Sequence, residues 1–253
     1  MEWSVFALSD AGMVRHRNED IAAVGHRLFR NEHEAWTQSF PDAGVTVTAG
    51  VCDGVGGSAA GDVASRFAME RFVSGIDSLG RGLGEEALQE ELRGLVRGIH
   101  DEVVRQGLLH AERQGMATTL SGFVWYEGRL YLAHAGDSRL YLLREGSLTR
   151  LTRDHTLREF TGNLRIPGNI LVNCIGVERD FFVDVAPAAE EAGKPGDRLL
   201  ACTDGLTDTV PEGDIAEILS RGHDEETAGT ELLSRANAAG AHDNVTFVLI
   251  GLG

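Results

Sequence analysis

The sequence predicts an α+β layered sandwich in which helices cover paired sheets. Three observations carry that expectation. Two amphipathic helices are inserted early, short strands joined by tight turns fill the middle, and two more helices precede a last strand. A doubly wound nucleotide-binding fold is disfavoured, because strands and helices do not alternate regularly and no GxGxxG opens a helix.

Trp3 to Leu8 reads as a strand ending at the turn Ser9-Asp10-Ala11-Gly12, and Thr46 to Cys52 as another that runs into a Gly-rich loop. After that loop, Ala60, Ala64, Phe67, Ala68, Phe72 and Ile76 recur at helical spacing. Leu88, Leu92, Leu95, Val96, Ile99 and Val103 make a second, clearer stripe. Both stripes should pack on a sheet face. From Thr118 the pattern becomes strands at Leu120–Trp125, Leu130–Ala135, Leu140–Arg144 and Leu148–Leu151. The turns between them, Glu127-Gly128, Gly136-Asp137 and Glu145-Gly146, are short enough to predict antiparallel hairpins. Asp154 to Gly176 has no clean period and contains Gly162, Pro167 and Gly168, which predicts a surface loop or flap. Strands return at Phe181–Val185 and Leu199–Cys202. Pro211 suits the start of a helix through Leu219, Asp224 caps one reaching Ala238, and Val245–Ile250 is the last strand.

The 253 residues, 42% apolar and 25% charged, are those of a globular protein, with no linker to divide 1–253 into separate domains. No apolar run reaches the ~20 residues of a membrane span, and the first residues lack a basic segment followed by an apolar one. A cytoplasmic location is the default expectation. A net charge of −16 disfavours nucleic acid and anionic membranes as partners. Cys52, Cys174 and Cys202 form no CxxC pair and read as small buried hydrophobes, not as thiol nucleophiles or a disulfide.

Four groups of acidic motifs adjoin apolar runs: Asn18-Glu19-Asp20; Asp53-Gly54-Val55-Gly56-Gly57; Gly136-Asp137-Ser138-Arg139 with Thr203-Asp204-Gly205-Leu206-Thr207-Asp208; and Asp243-Asn244. Strands that run straight into an Asp should gather these carboxylates at one sheet edge. Like charges in a partly buried space repel, so a cation must neutralise them, and hard divalent ions with oxygen ligands suit the task. Asp53-Gly54 or Asp204-Gly205 alone would be an ordinary turn; their joint placement shifts the balance. The loop has no GK[ST] ending and therefore no P-loop lysine, which weakens a nucleotide-binding reading. Its glycines would instead let backbone carbonyls turn towards a metal.

With these residues in order, the chain resembles the PPM, or type-2C, metal-dependent serine/threonine protein phosphatases, in their compact bacterial form. The resemblance rests on Ser9-Asp10 and Gly12 through Asn18-Glu19-Asp20, Asp53-Gly54-Val55-Gly56-Gly57, Ala117-Thr118-Thr119-Leu120, Gly136-Asp137-Ser138-Arg139, Leu151-Thr152 with Asp154-His155, Thr203-Asp204-Gly205-Leu206 with Asp208, and Asp243-Asn244-Val245-Thr246. It implies a four-layer α-β-β-α sandwich of two mainly antiparallel sheets. It also implies Mn2+ or Mg2+ as cofactor, two ions bound tightly and a third more weakly. Asp53 would bridge two ions, with the Gly54 carbonyl on one and Asp204 and Asp243 on the other. Asp137 and Asp208 match the third site. Glu19 and Asp20 match an acidic pair that acts through water or behind the ligands. Arg15 matches the phosphate-binding arginine. Water activated between the ions would attack phosphorus in line, without a protein nucleophile.

The implied partners are phosphorylated proteins and a Ser/Thr kinase, with the chain a monomer; the rival reading is a pseudophosphatase serving as a binding module. The chain departs from the pattern in two places. Val55 stands where some relatives carry a proton-donating histidine, and the flap of about 154–176 is shorter than in many bacterial members. His16 and His242, which flank proposed site residues, are the candidates to replace that acid.

Overall fold

Alternating residues of the first strand face opposite cores, which is the simplest statement of how the layers are built. In β1 (Glu2–Asp10), Trp3, Val5 and Ala7 point into one hydrophobic cluster while Phe6 and Leu8 point into another. The computed structural model describes residues 2–39, 46–55, 60–178, 180–188 and 193–253. Among them are two six-stranded sheets in which every named pairing is antiparallel.

The second sheet is built from β2 (Ile21–Val24), β3 (Arg27–Phe29), β5 (Thr46–Cys52), β6 (Leu120–Tyr126), β7 (Arg129–Ala135) and β10 (Asp184–Pro187). Its strand order is β10-β7-β6-β5-β2-β3. Helices α1 (Gly61–Asp77) and α2 (Glu85–Leu109) cover its outer face, burying Ala64, Ala68, Phe72, Ile76, Leu88, Leu92, Val96, Ile99 and Val103, the stripes expected from the sequence. The first sheet joins β1 to β4 (Glu32–Ser39), β8 (Arg139–Arg144), β9 (Ser147–Arg150), β11 (Arg198–Cys202) and β12 (Val245–Leu252), in the order β4-β1-β12-β11-β8-β9. Two short helices, α3 (Leu157–Thr161) and α4 (Asp204–Thr207), precede α5 (Glu212–Ser220) and α6 (Glu225–Ala238). The last two cover this sheet with Ile215, Ile218, Leu219, Ala228, Leu232 and Ala236. A third cluster, including Val51, Phe123, Trp125, Leu199 and Val248, fills the space between the sheets. The architecture is the expected four-layer α-β-β-α sandwich.

Several elements differ from the expectations. β6–β7 and β8–β9 are hairpins, but Gly136-Asp137 is not a hairpin turn: it carries the chain from β7 in one sheet to β8 in the other. The strand expected at Phe181–Val185 begins only at Asp184. Phe181 instead stacks on His100, ring centroids 4.1 Å apart. Strands β2, β3 and β4 had no clear sequence signal. Of these β4 is an edge strand, exposed except at half-buried Trp36. The flap is only partly a surface loop, since Asp154, His155, Thr156, Asn173, Cys174 and Ile175 are buried at its base and α3 lies within it. Gly56, Gly57, Ser58 and Ala59 of the Gly-rich loop lie outside the described residues. No helix among the described residues is long and apolar enough to cross a membrane.

The strand ends bring the acidic motifs together. Asp20 and Asp53 flank the cross-strand pair Ile21↔Cys52, and Thr203 N–H donates to the Thr246 carbonyl at 2.9 Å just before Asp204. The two chain segments at Gly205 and Asn244 touch so closely that a Cβ on Gly205 would stand 1.9 Å from the Asn244 carbonyl oxygen. Gly205→Ala should therefore cost about 1–3 kcal/mol by forcing the two backbones apart. Denaturant unfolding would measure it, and a variant as stable as the parent would show that this contact does not constrain the fold.

Candidate active site

One end of the sandwich carries a cleft of about 370 Å³ lined by Arg15, Glu19, Asp53, Gly54, Asp137, Asp204 and Asp243, together with Val55, Thr119, Asn169, Leu171 and Asn244. The carboxylates thus gather between the ends of both sheets, not along the edge of one as the sequence suggested. A second cleft of about 240 Å³ shares Asp137, Asn169 and Asp204 with the first and adds Arg139, Asp154, Arg158 and Asp208. Among its aspartates, Asp208 is the exposed one. Asp20 lines neither cleft; it is buried behind them, and its Oδ2 accepts from Thr203 Oγ1 at 2.9 Å.

Backbone geometry fixes Asp53. Its N–H donates to Thr119 Oγ1 at 2.9 Å, and its carbonyl accepts from Thr119 N–H and Thr118 Oγ1, both at 2.8 Å. Gly54 lies where a Cβ would come within 2.4 Å of the Gly61 carbonyl oxygen, so only glycine allows this close passage of the loop past α1. Asn244 ties the opposite wall. Its Oδ1 accepts from Glu19 N–H at 2.9 Å, and its Nδ2 donates to the Ala11 and Arg17 carbonyls at 3.0 and 2.9 Å. A single side chain therefore holds the whole 11–19 loop against the turn that carries Asp243.

Asp137 is held from behind. Arg139 grips Asp154 with two nitrogens, at 2.7 to 3.2 Å, the planar fork expected of a strong pair. The buried His155 Nδ1 accepts from Gly136 N–H at 3.2 Å and from Asn173 Nδ2 at 2.8 Å, which leaves the proton on Nε2, facing Asp184 Oδ2 at 3.1 Å. Arg139, Asp154 and His155 sit in motifs that carry the resemblance, while Asn173 and Asp184 sit in none, and only the structure shows what they hold. Asn169 and Leu171 carried no signal, because the flap has no periodicity to place them.

Electrostatics make the cleft an unfavourable place for bare carboxylates. Burial, then repulsion from Asp20, Asp204, Asp137 and Asp243, holds the Asp53 carboxyl well above the usual range. Burial and the neighbouring Asp204 and Asp154 push Asp137 up to about 8. Burial pushes Asp20 up to about 8 against the bonds from Thr203 and Thr246. Asp204 rises to about 6 through burial and the nearby Asp208 and Asp243. Glu19 is raised by burial and by Asp62. Cys52 and Cys202 are buried thiols whose pKa values burial raises, the latter to about 12, so neither is a nucleophile.

This donor set suits hard divalent cations. Asp204 Oδ1 is buried with no hydrogen-bond partner, an orphaned acceptor that a cation would satisfy. No three acidic, histidine or cysteine side chains among the described residues already converge on one point. Both oxygens of Asp243 are engaged instead, Oδ2 by Arg15 Nη2 at 2.7 Å and Oδ1 by Asn244 N–H at 2.8 Å. His16 and His242 are exposed and line neither cleft.

The protein phosphatase 2C family model matches residues 34–244. The chain is 31% identical over 252 residues to the serine/threonine phosphatase stp of Listeria monocytogenes, covering 96% of this chain and 93% of that one. The crystal structure of the Mycobacterium tuberculosis serine/threonine phosphatase PstP/Ppp superposes with a TM-score of 0.76 at 30% identity, covering 100% of this chain and 99% of that one. The S. agalactiae serine/threonine phosphatase shares the fold, with a TM-score of 0.79 at 22% identity over 99% and 100% of the two chains. The chain belongs to the protein phosphatase 2C family and is a protein phosphatase of that type.

A carboxyl whose pKa is raised by folding binds more protons folded than unfolded between its two pKa values. Stability contributed by that proton is lost as pH rises through the window. With unfolded values near 4 and folded values up to about 8 for Asp20 and Asp137, the cation-free protein should melt at progressively lower temperature from about pH 5 to pH 8. Mn2+ should raise the melting temperature more at the alkaline end. Calorimetry in chelator and in Mn2+ would check both. A melting temperature in chelator that climbs across this window contradicts the account.

Proposed function

We propose that the chain hydrolyses phosphoserine and phosphothreonine in proteins, using divalent cations held by the carboxylates of the cleft. The observation that carries this reading is the orphaned, buried Asp204 Oδ1 in the same cleft as Asp53 and Asp137, whose pKa values are raised along with its own, and as an arginine. Such a cluster is tolerable with protons or with cations, and only the second makes it useful to a phosphate ester.

In this proposal Asp53, the Gly54 carbonyl, Asp204 and Asp243 would hold two ions, and Asp137 and Asp208 would hold a third. Glu19 faces the first cleft and can act through water. Asp20, bonded to Thr203 behind the wall, positions the strand ends and does not touch the reactants. When bound, such ions lower the pKa of water towards neutrality and screen the charge of the phosphoryl oxygens.

The chain's own residues supply orientation. Arg15 presents a planar guanidinium that can take two phosphate oxygens in exchange for its bond to Asp243. Val55 has no proton to donate and its N–H is committed to the Ala117 carbonyl at 3.0 Å. With His16 and His242 outside both clefts, the leaving group takes its proton from solvent.

Asp53→Asn should lower turnover of p-nitrophenyl phosphate with Mn2+ by about 10³-fold or more, the weight of several kcal/mol of charge stabilisation, while circular dichroism shows the fold retained. Undiminished Mn2+-dependent turnover would remove Asp53 from the site. Arg15→Ala should raise KM for a phosphopeptide by about tenfold or more, as expected for losing a charge-assisted hydrogen bond. An unchanged KM would mean that Arg15 serves only as the partner of Asp243.

A further inference from the structure

Seven large apolar side chains are exposed among the described residues, and five of them lie in two segments that border the cleft. Met13 and Val14, 68% and 54% exposed, precede Arg15. Phe160, Leu164 and Ile170 sit in the flap that contributes Asn169 and Leu171 to the cleft lining. Solvent-exposed aliphatic groups concentrated at the mouth of one site mark a contact surface more than chance exposure does.

The backbones that carry them are fixed. Met13 N–H donates to the Ala241 carbonyl at 3.0 Å, and Asn244 pins Ala11 and Arg17 on either side. In the flap, Leu157 N–H donates to the Ile170 carbonyl at 2.8 Å, Val172 N–H to the His155 carbonyl at 2.9 Å, and Arg158 Nε to the Ile166 carbonyl at 2.7 Å. A partner therefore meets apolar groups that are already ordered, which lowers the entropic cost of binding them. Charge points the same way. In a chain of net charge −16, residues 11–19 carry two arginines against one glutamate, and so do residues 157–171. The rims are apolar and mildly basic around an acidic cleft.

We propose that these two rims select substrate: they take the residues flanking the phosphorylated side chain in an extended segment, with aliphatic residues beside it and acidic ones further out. This rests on the phosphatase reading above and deepens it. The occupant is a phosphopeptide segment because the rims are continuous with the cleft that would receive the phosphate, and their arginines suit a negatively charged chain.

The test compares two phosphothreonine peptides, one with leucines and one with serines and glycines beside the phosphothreonine. The enzymes are the Mn2+-loaded wild type and the double variants Met13→Ser/Val14→Ser and Leu164→Ser/Ile170→Ser. Turnover is measured beside p-nitrophenyl phosphate as a substrate without flanks. Fluorescence anisotropy with non-hydrolysable phosphonate versions of both peptides reads binding without requiring turnover. The wild type should favour the leucine peptide by about tenfold, the size expected for one or two buried aliphatic contacts. Each double variant should lose most of that preference while keeping p-nitrophenyl phosphate turnover within about twofold. A wild type that treats both peptides alike, or variants that keep the preference, would overturn the assignment. So would a concentration-dependent dimer that the same substitutions abolish, since the rims would then serve a second copy of the chain. Absent turnover of p-nitrophenyl phosphate by the wild type counts against the phosphatase reading alone, because anisotropy scores the rims independently.

Discussion

Carboxylates at the ends of strands from two sheets face one another around one cleft, with Asp137 and, behind its wall, Asp20 buried and Asp53, Asp204 and Asp243 partly so. Burial, and then repulsion from Asp20, Asp204, Asp137 and Asp243, all act against the Asp53 carboxylate. The surrounding structure can be understood as what is needed to keep the groups there. Sheet ladders fix Asp20 beside Asp53 and Asp204 beside the start of β12. Thr118 and Thr119 hold the Asp53 backbone from one side, and Asn244 holds the 11–19 loop from the other. The fork of Arg139 on Asp154 and the acceptor nitrogen of His155 fix the crossover that bears Asp137. Removing any one of these supports would let the acidic groups relax apart.

Much of the scaffold was legible because its cores obey simple periods. The stripes of α1 and α2 repeat at helical spacing, and Thr46–Cys52 is a run of β-branched and small apolar residues that ends at an Asp, so both appear where pattern places them. Asp224 caps α6 by accepting from Thr227 N–H, the role its position implied. The edge strand β4 was invisible for a physical reason. Its sequence, Glu32 to Ser39, is mostly polar and exposed, and it is held by pairing with β1 and by Trp36 stacking on Phe29, neither of which leaves a local period.

The site was legible in composition but not in arrangement. Acidic residues beside apolar runs marked Asp53, Asp137, Asp204 and Asp243, and the structure brings all four to one cleft. It separates Asp20, which burial places behind Thr203, and leaves Asp208 on the exposed side. Gly136-Asp137 resembled a hairpin turn because a two-residue Gly-Asp step looks the same locally whether the chain doubles back or changes sheets. Asn169 and Leu171 join the cleft only because His155 and Asn173 bury the base of the flap and bring its far limb over the site. Such long-range contacts have no signature in sequence.

In the proposed function the metal-free cleft stores protons that divalent cations displace. Titrating Mn2+ into the chelator-stripped protein at pH 7 by calorimetry, in buffers of different ionisation enthalpy, counts those protons directly. With Asp20 and Asp137 near 8 and Asp53 well above its usual range, binding should release about one proton or more per molecule at pH 7 and progressively fewer as pH rises beyond 8. Saturable Mn2+ binding with no proton release at pH 7, or no binding at all, would contradict it.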